Sequence, residues 1–171
     1  MGALLERLRD RQHLLVALLS AWLILTSPWI SMLRRVPDGA GFLDYSHVVL
    51  GFVALLLAFS YAITCSLGGR WRLYFPFIAG GLDAVGRDLA GLLRGRIPAA
   101  EGGGLFALIE GLLLLALLAA AVTGAAWFWA QGTTEALAWR QWHLYAARGL
   151  AGLILLHVVT VSLHLLDLVR D

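Results

Sequence analysis

The sequence predicts an all-α membrane protein, with four transmembrane helices in an up-down bundle and an amphipathic interfacial helix between the second and third spans. Three observations lead there. Of its 171 residues 60% are hydrophobic and only 14% charged, far from the composition of a water-soluble domain. The apolar residues fall in four runs of about 20 or more, each long enough to cross a bilayer. The 13 basic residues are all arginine, and all but one lie outside or at the ends of those runs, a pattern of membrane topology rather than of nucleic-acid binding. A soluble single-domain enzyme is excluded. The single cysteine, Cys65, excludes a disulfide framework, a structural zinc cluster and a CxxCH haem attachment. Residues 1–171 are expected to form one integral membrane domain.

The first span, residues 13–33, reads HLLVALLSAWLILTSPWISML between Arg7, Arg9 and Arg11 on one side and Arg34 and Arg35 on the other. It is expected to persist as a span rather than be removed as a signal peptide, being longer than a typical h-region and lacking a nearby small-x-small site. Residues 34–43 carry Pro37 and glycines and predict a plain turn. The second span covers about 44–67. In the longer link that follows, Leu82, Val85, Leu89 and Leu92 recur at helical spacing beside Asp83, Arg87, Asp88 and Arg94, which predicts an amphipathic helix lying on the membrane. The third span covers 105–129, a short polar turn follows, and the fourth covers 140–169. Helix is the required form, because unpaired backbone groups in lipid are prohibitive and four spans cannot close a barrel.

Four spans put both termini and the long link on one face. That face collects Arg7, Arg9, Arg11, Arg70, Arg72, Arg87, Arg94, Arg96 and Arg170, against Arg34, Arg35 and Arg140 opposite. By the positive-inside tendency the arginine-rich face is cytoplasmic. Arg148 remains, inside the fourth span.

The histidines carry the functional signal. His13, His47, His143, His157 and His164 all lie in or at the edge of spans, where ionisable groups are uncommon and often functional. One histidine alone could equally be a hydrogen-bonding group between helices. Depth separates the two cases. A helix rises about 1.5 Å per residue, so His157 lies roughly 21 Å from His143 along the fourth span and nearly on the same stripe. His47 and His143 both start outer ends of spans, whereas His13 starts the first span on the cytoplasmic side, level with His157. Two matched pairs follow, His47 with His143 and His13 with His157, and each supplies what a haem iron needs as axial ligands. Gly51, Gly149 and Gly152 beside these histidines would leave room for a flat macrocycle, although close helix packing also uses such glycines. Zinc or copper would gather three or four ligands at one depth, and a transporter would show repeats or broken helices.

The segments WHLYAARGLAGLILLHVVTVSLHLL, SHVVLGF and RQHLLVALLSAWLILTSPW resemble the bacterial cytochrome b561 family and its relatives, the cytochrome b subunits of formate dehydrogenases and nickel-iron hydrogenases. The resemblance covers all four spans. It implies two b haems, the outer one on His47 and His143 and the inner one on His13 and His157, in a bacterial inner membrane. Leu14, where relatives often have tryptophan, and TSPW, where threonine-glycine is frequent, depart from the pattern without touching a ligand. The long link between spans two and three is similar to that of the dehydrogenase and hydrogenase subunits. His164 instead resembles a histidine that stand-alone members carry near a quinone site.

Other polar groups take secondary assignments. His164, about two turns beyond His157, and Glu110, about two turns into the third span, are candidates for quinone binding and protonation. Arg148 does not share the haem-facing stripe but could reach a propionate. The expected function is transmembrane electron transfer through two b haems between a redox partner, such as a dehydrogenase subunit or a cytochrome c, and the quinone pool. In that role the chain would be the membrane anchor of a respiratory complex. A self-sufficient oxidoreductase passing electrons from superoxide or another small donor to quinone is the alternative, and a haem-free scaffold or transporter the remote one. No nucleic-acid partner is expected.

Overall fold

The computed structural model describes residues 2–69, 71–98 and 103–170; Arg70 lies outside them. Its helices are α1 (Gly2–Thr26), α2 (Phe42–Ser66), α3 (Trp71–Tyr74), α4 (Pro76–Ala79), α5 (Leu82–Leu92), α6 (Leu105–Trp129) and α7 (Glu135–Arg170), with 3₁₀ turns at Ser27–Trp29 and Leu67–Gly69. Among the described residues there is no strand. The segments long and apolar enough to cross a membrane are Arg9–Trp29, Phe42–Ser66, Leu105–Trp129 and Glu135–Leu165. They expose large apolar side chains such as Leu18, Leu25, Leu56, Ile63 and Leu155, the surface of a protein whose solvent is lipid. The chain is thus an all-α membrane protein, as its composition predicts.

Two compact units make up the chain, Met1–Cys65 with Ala116–Leu150, and Ser66–Leu115 with Ala151–Asp171. In the first, hydrogen bonds define the helix directions. Gln12, near the start of the apolar segment Arg9–Trp29, bonds Ser60 near the end of α2, while Ser31 beyond α1 bonds Asp44 in the first turn of α2. These two helices are therefore antiparallel. The same holds for α6 and α7, which meet through Ala120 and His143 and, nearer their junction, in a buried cluster containing Trp127 and Ala136.

The first span differs from its predicted form: the helix stops at Thr26 instead of continuing to Leu33. Pro28 is the cause, since it has no N–H to give to the carbonyl of Ile24 four residues back. The Ser27 hydroxyl takes that carbonyl instead at 2.8 Å, and Thr26 Oγ1 donates to the Trp22 carbonyl at 2.7 Å. The irregular stretch that follows must find partners elsewhere, because unsatisfied backbone is costly away from water. Trp127 Nε1 donates to the Leu33 carbonyl at 2.9 Å, Arg140 Nε to the Met32 carbonyl at 2.9 Å and the Gly132 N–H to the Arg34 carbonyl at 3.1 Å. In return the Val36 N–H donates to Gln131 Oε1 at 2.9 Å. Arg140, expected as a topology or propionate charge, has a structural task here.

Asp44 closes the same end. It is buried, and its carboxylate accepts the Ser31 N–H at 3.1 Å and the Gly41 N–H at 3.2 Å. The second bond reaches back to the start of α2 as the acidic half of a capping box does.

The second unit contains the long link. Its amphipathic helix is α5, with Val85 buried and Leu82, Leu89 and Leu92 exposed; the short helices α3 and α4 were not legible in the periodicity. They pack on α6 at Gly111, where any Cβ would collide with the Tyr74 carbonyl. The first N–H of α6, at Leu105, is capped by Asp88 of α5 at 2.7 Å.

Candidate haem site

His47 sits in the second turn of α2 and His143 in the third turn of α7, in the first unit. Their ring centroids are 6.2 Å apart and the planes nearly perpendicular, at 86°. One metal between two imidazoles, bonded at about 2.0–2.1 Å to each, would put ring centres about 6.4 Å apart. The observed spacing leaves room for one metal between the two rings. Both rings are half-buried.

The protonation pattern suits the same task. His143 Nδ1 lies 2.8 Å from the Ala120 carbonyl, and because a carbonyl only accepts, Nδ1 must carry the proton. Nε2 is left with its lone pair, and a fixed ring of this kind is the usual state of a metal-binding histidine. His47 Nδ1 is buried with no hydrogen-bond partner among the described residues. The two side chains fit a b haem.

The close contact that holds His143 comes from a residue the sequence did not single out. A Cβ on Gly124 would lie 3.2 Å from His143 Cε1 and Nδ1, so the bare α-carbon is what lets the ring reach the Ala120 carbonyl one turn earlier on α6. In sequence Gly124 is one small residue within AAAVTGAA and carries no separate signal. By contrast a Cβ on Gly51, Gly149 or Gly152 would meet nothing within 4 Å. Those three glycines open onto free space and are not used for close helix packing.

His13 also belongs to the first unit, but its surroundings differ. It is exposed, its ring centroid is 6.1 Å from that of Tyr61, and its neighbour Gln12 bonds Ser60 at 2.7 Å. Tyr61 follows His47 by fourteen positions, and was not anticipated. His157 belongs to the second unit and is half-buried there. Arg148 is exposed and forms no ion pair among the described residues.

The two residues expected at a quinone both fall in the second unit. His164 is half-buried and its ring meets that of Phe106, centroids 5.8 Å apart. Glu110, half-buried as well, stands one turn after Phe106 on α6, so Phe106 joins the set as a residue the sequence pattern concealed among the apolar positions.

No curated protein and no solved structure matches the chain. Residues 10–168, nearly its whole length, match the model of prokaryotic cytochrome b561. The chain therefore belongs to the prokaryotic cytochrome b561 family, as a multi-pass bacterial membrane protein that binds haem b and takes part in membrane electron transfer.

Proposed function

We propose that the chain works as one di-haem membrane domain, relaying electrons between a redox protein on one face and the quinone pool as the anchor subunit of a respiratory complex. The observation that carries this is the His47–His143 pair, 6.2 Å between ring centroids with His143 Nδ1–H committed to Ala120. When bound, two b haems supply one-electron steps across an apolar layer of about 30 Å that no single site spans. His47 and His143 would hold the outer group, and His13 and His157 the inner one. His143 and His157 are fourteen residues apart on α7, nearly four turns, which keeps them on one stripe of the helix.

The chain's own residues orient and bound the site. Gly124 and Ala120 present His143 with its lone pair outward. Gly51, Gly149 and Gly152 keep side chains out of the space beside the ligands. Arg148 stands within a span with no ion pair to a carboxylate among the described residues, an expensive position unless an anion meets it, and a propionate is the anion this site would supply. His164 and Glu110, flanking Phe106, would bind a quinone headgroup and pass its protons. Both termini are assigned to the cytoplasm by the arginine distribution. His164, similar to a histidine that stand-alone members carry near a quinone site, favours a second version, a self-sufficient quinone oxidoreductase; quinone reduction by the isolated chain would select it, and a co-purifying soluble subunit the anchor.

The test is a reduced-minus-oxidised spectrum of the detergent-purified chain with pyridine haemochrome quantitation. Two b haems per chain are expected, falling to one in His47→Ala or His143→Ala. A colourless protein from haem-supplied cells would overturn the proposal.

A further inference from the structure

Three arginines line one pocket in the second unit. Arg87, Arg94 and Arg96 line an open pocket of about 280 Å³ together with Asp88, Gly91 and Pro98. The turn after α5 builds it. Gly95 adopts a φ of +71°, and the N–H groups of Arg94 and Arg96 both donate to the Gly91 carbonyl at 2.9 Å. This is the left-handed helix ending that glycine permits, and it folds Arg94 and Arg96 back towards Arg87. Among the described residues none of the three guanidinium groups has an ion pair. Asp88, the carboxylate in the lining, is already engaged by the Leu105 N–H at 2.7 Å. Asp88 offsets one of the three guanidinium charges, and the pocket keeps a net positive charge.

The Asp88 bond also sets the level of the pocket. Leu105 begins α6, whose whole length is a candidate span, so α5 is tied to the place where α6 enters the apolar layer. Leu82, Leu89, Leu92 and the following Leu93 are exposed. An apolar stripe beside basic residues at a span boundary suits a helix seated at the bilayer interface, the depth at which lipid phosphates lie.

We propose that Arg87, Arg94 and Arg96 bind the phosphodiester of an anionic phospholipid, with the exposed leucines of α5 in its acyl region. Guanidinium groups meet phosphate oxygens with paired N–H donors, and three of them around one pocket distinguish this from a diffuse basic surface. The site is independent of haem and of electron transfer.

Native mass spectrometry of the delipidated full chain, titrated with phosphatidylglycerol and with phosphatidylcholine, tests this. Phosphatidylglycerol should bind more tightly, by about fivefold for each arginine engaged, and more weakly as salt rises. The R87Q/R94Q/R96Q variant should lose at least tenfold, R96Q alone should lose part, and R34Q/R35Q should bind as the parent does. Lysine at the three positions should restore part of the preference. Equal binding of the two lipids, or an unchanged affinity in both the triple and the single variant, would overturn the site. Displacement of phosphatidylglycerol by inorganic phosphate at equal concentration would overturn the lipid assignment.

Discussion

The two ends of the first unit are built differently, though each carries a histidine predicted to bind iron. Around His47 and His143 the chain is closed by tertiary contacts: Trp127 and Arg140 hold the carbonyls of residues 32 and 33, Asp44 caps α2, and Ala120 with Gly124 fixes a ring. At the other end Gln12 reaches Ser60 and His13 rests near Tyr61, exposed. A ligand pair can thus be organised by the protein before any cofactor arrives, or left for the cofactor to complete. Preorganisation removes ordering cost from binding, so the closed end is expected to hold haem more tightly.

That contrast can be broken most severely at Gly124. Gly124→Leu puts a branched side chain where the His143 ring stands and should remove one haem per chain by haemochrome assay, with His47 and His143 both still present. Two haems with unaltered spectra would show that the ring is not positioned by α6. Gly124→Ala asks for a few tenths of an ångström and should instead shift the midpoint potential of one haem.

Next in size is Trp127→Ala, which empties a buried position and frees the Leu33 carbonyl. It should cost about 3–5 kcal/mol in unfolding free energy in detergent. Asp44→Ala leaves two backbone N–H groups without their acceptor and should cost about 1–3 kcal/mol. Both losses belong to the closed end. At the open end, Gln12→Ala removes an interhelical side-chain bond of a kind that averages about 0.6 kcal/mol in membranes, and a thermal melt should hardly move. A Gln12→Ala cost as large as that of Trp127→Ala would erase the distinction between the ends.

Legibility followed the range of the interaction. The third span lies where the sequence puts it, at about 105–129, because apolar length is written locally, and α5 follows from its leucine spacing. The end of α1 was missed, although Pro28 was in plain view, because apolar content continues to Leu33 while the missing N–H stops the helix. Among the site residues, His47 and His143 stood out as ionisable groups in apolar runs. Gly124 and Ala120 did not, since a small residue among alanines says nothing until another helix lies against it. Arg140 was visible as a charge, but its bond to a carbonyl 108 positions away was not.

By itself the sequence determined the solvent, the number of spans, the candidate ligands and the kind of cofactor they suit, since hydropathy, helical rise and residue chemistry are local properties of the chain. The tertiary structure alone decided that the His47 and His143 rings face each other 6.2 Å apart, that a carbonyl of α6 sets the proton on His143, and that a left-handed turn gathers three arginines around one pocket. These depend on how separate helices approach each other, and close approach is governed by packing and hydrogen-bond geometry that no periodicity along the chain records.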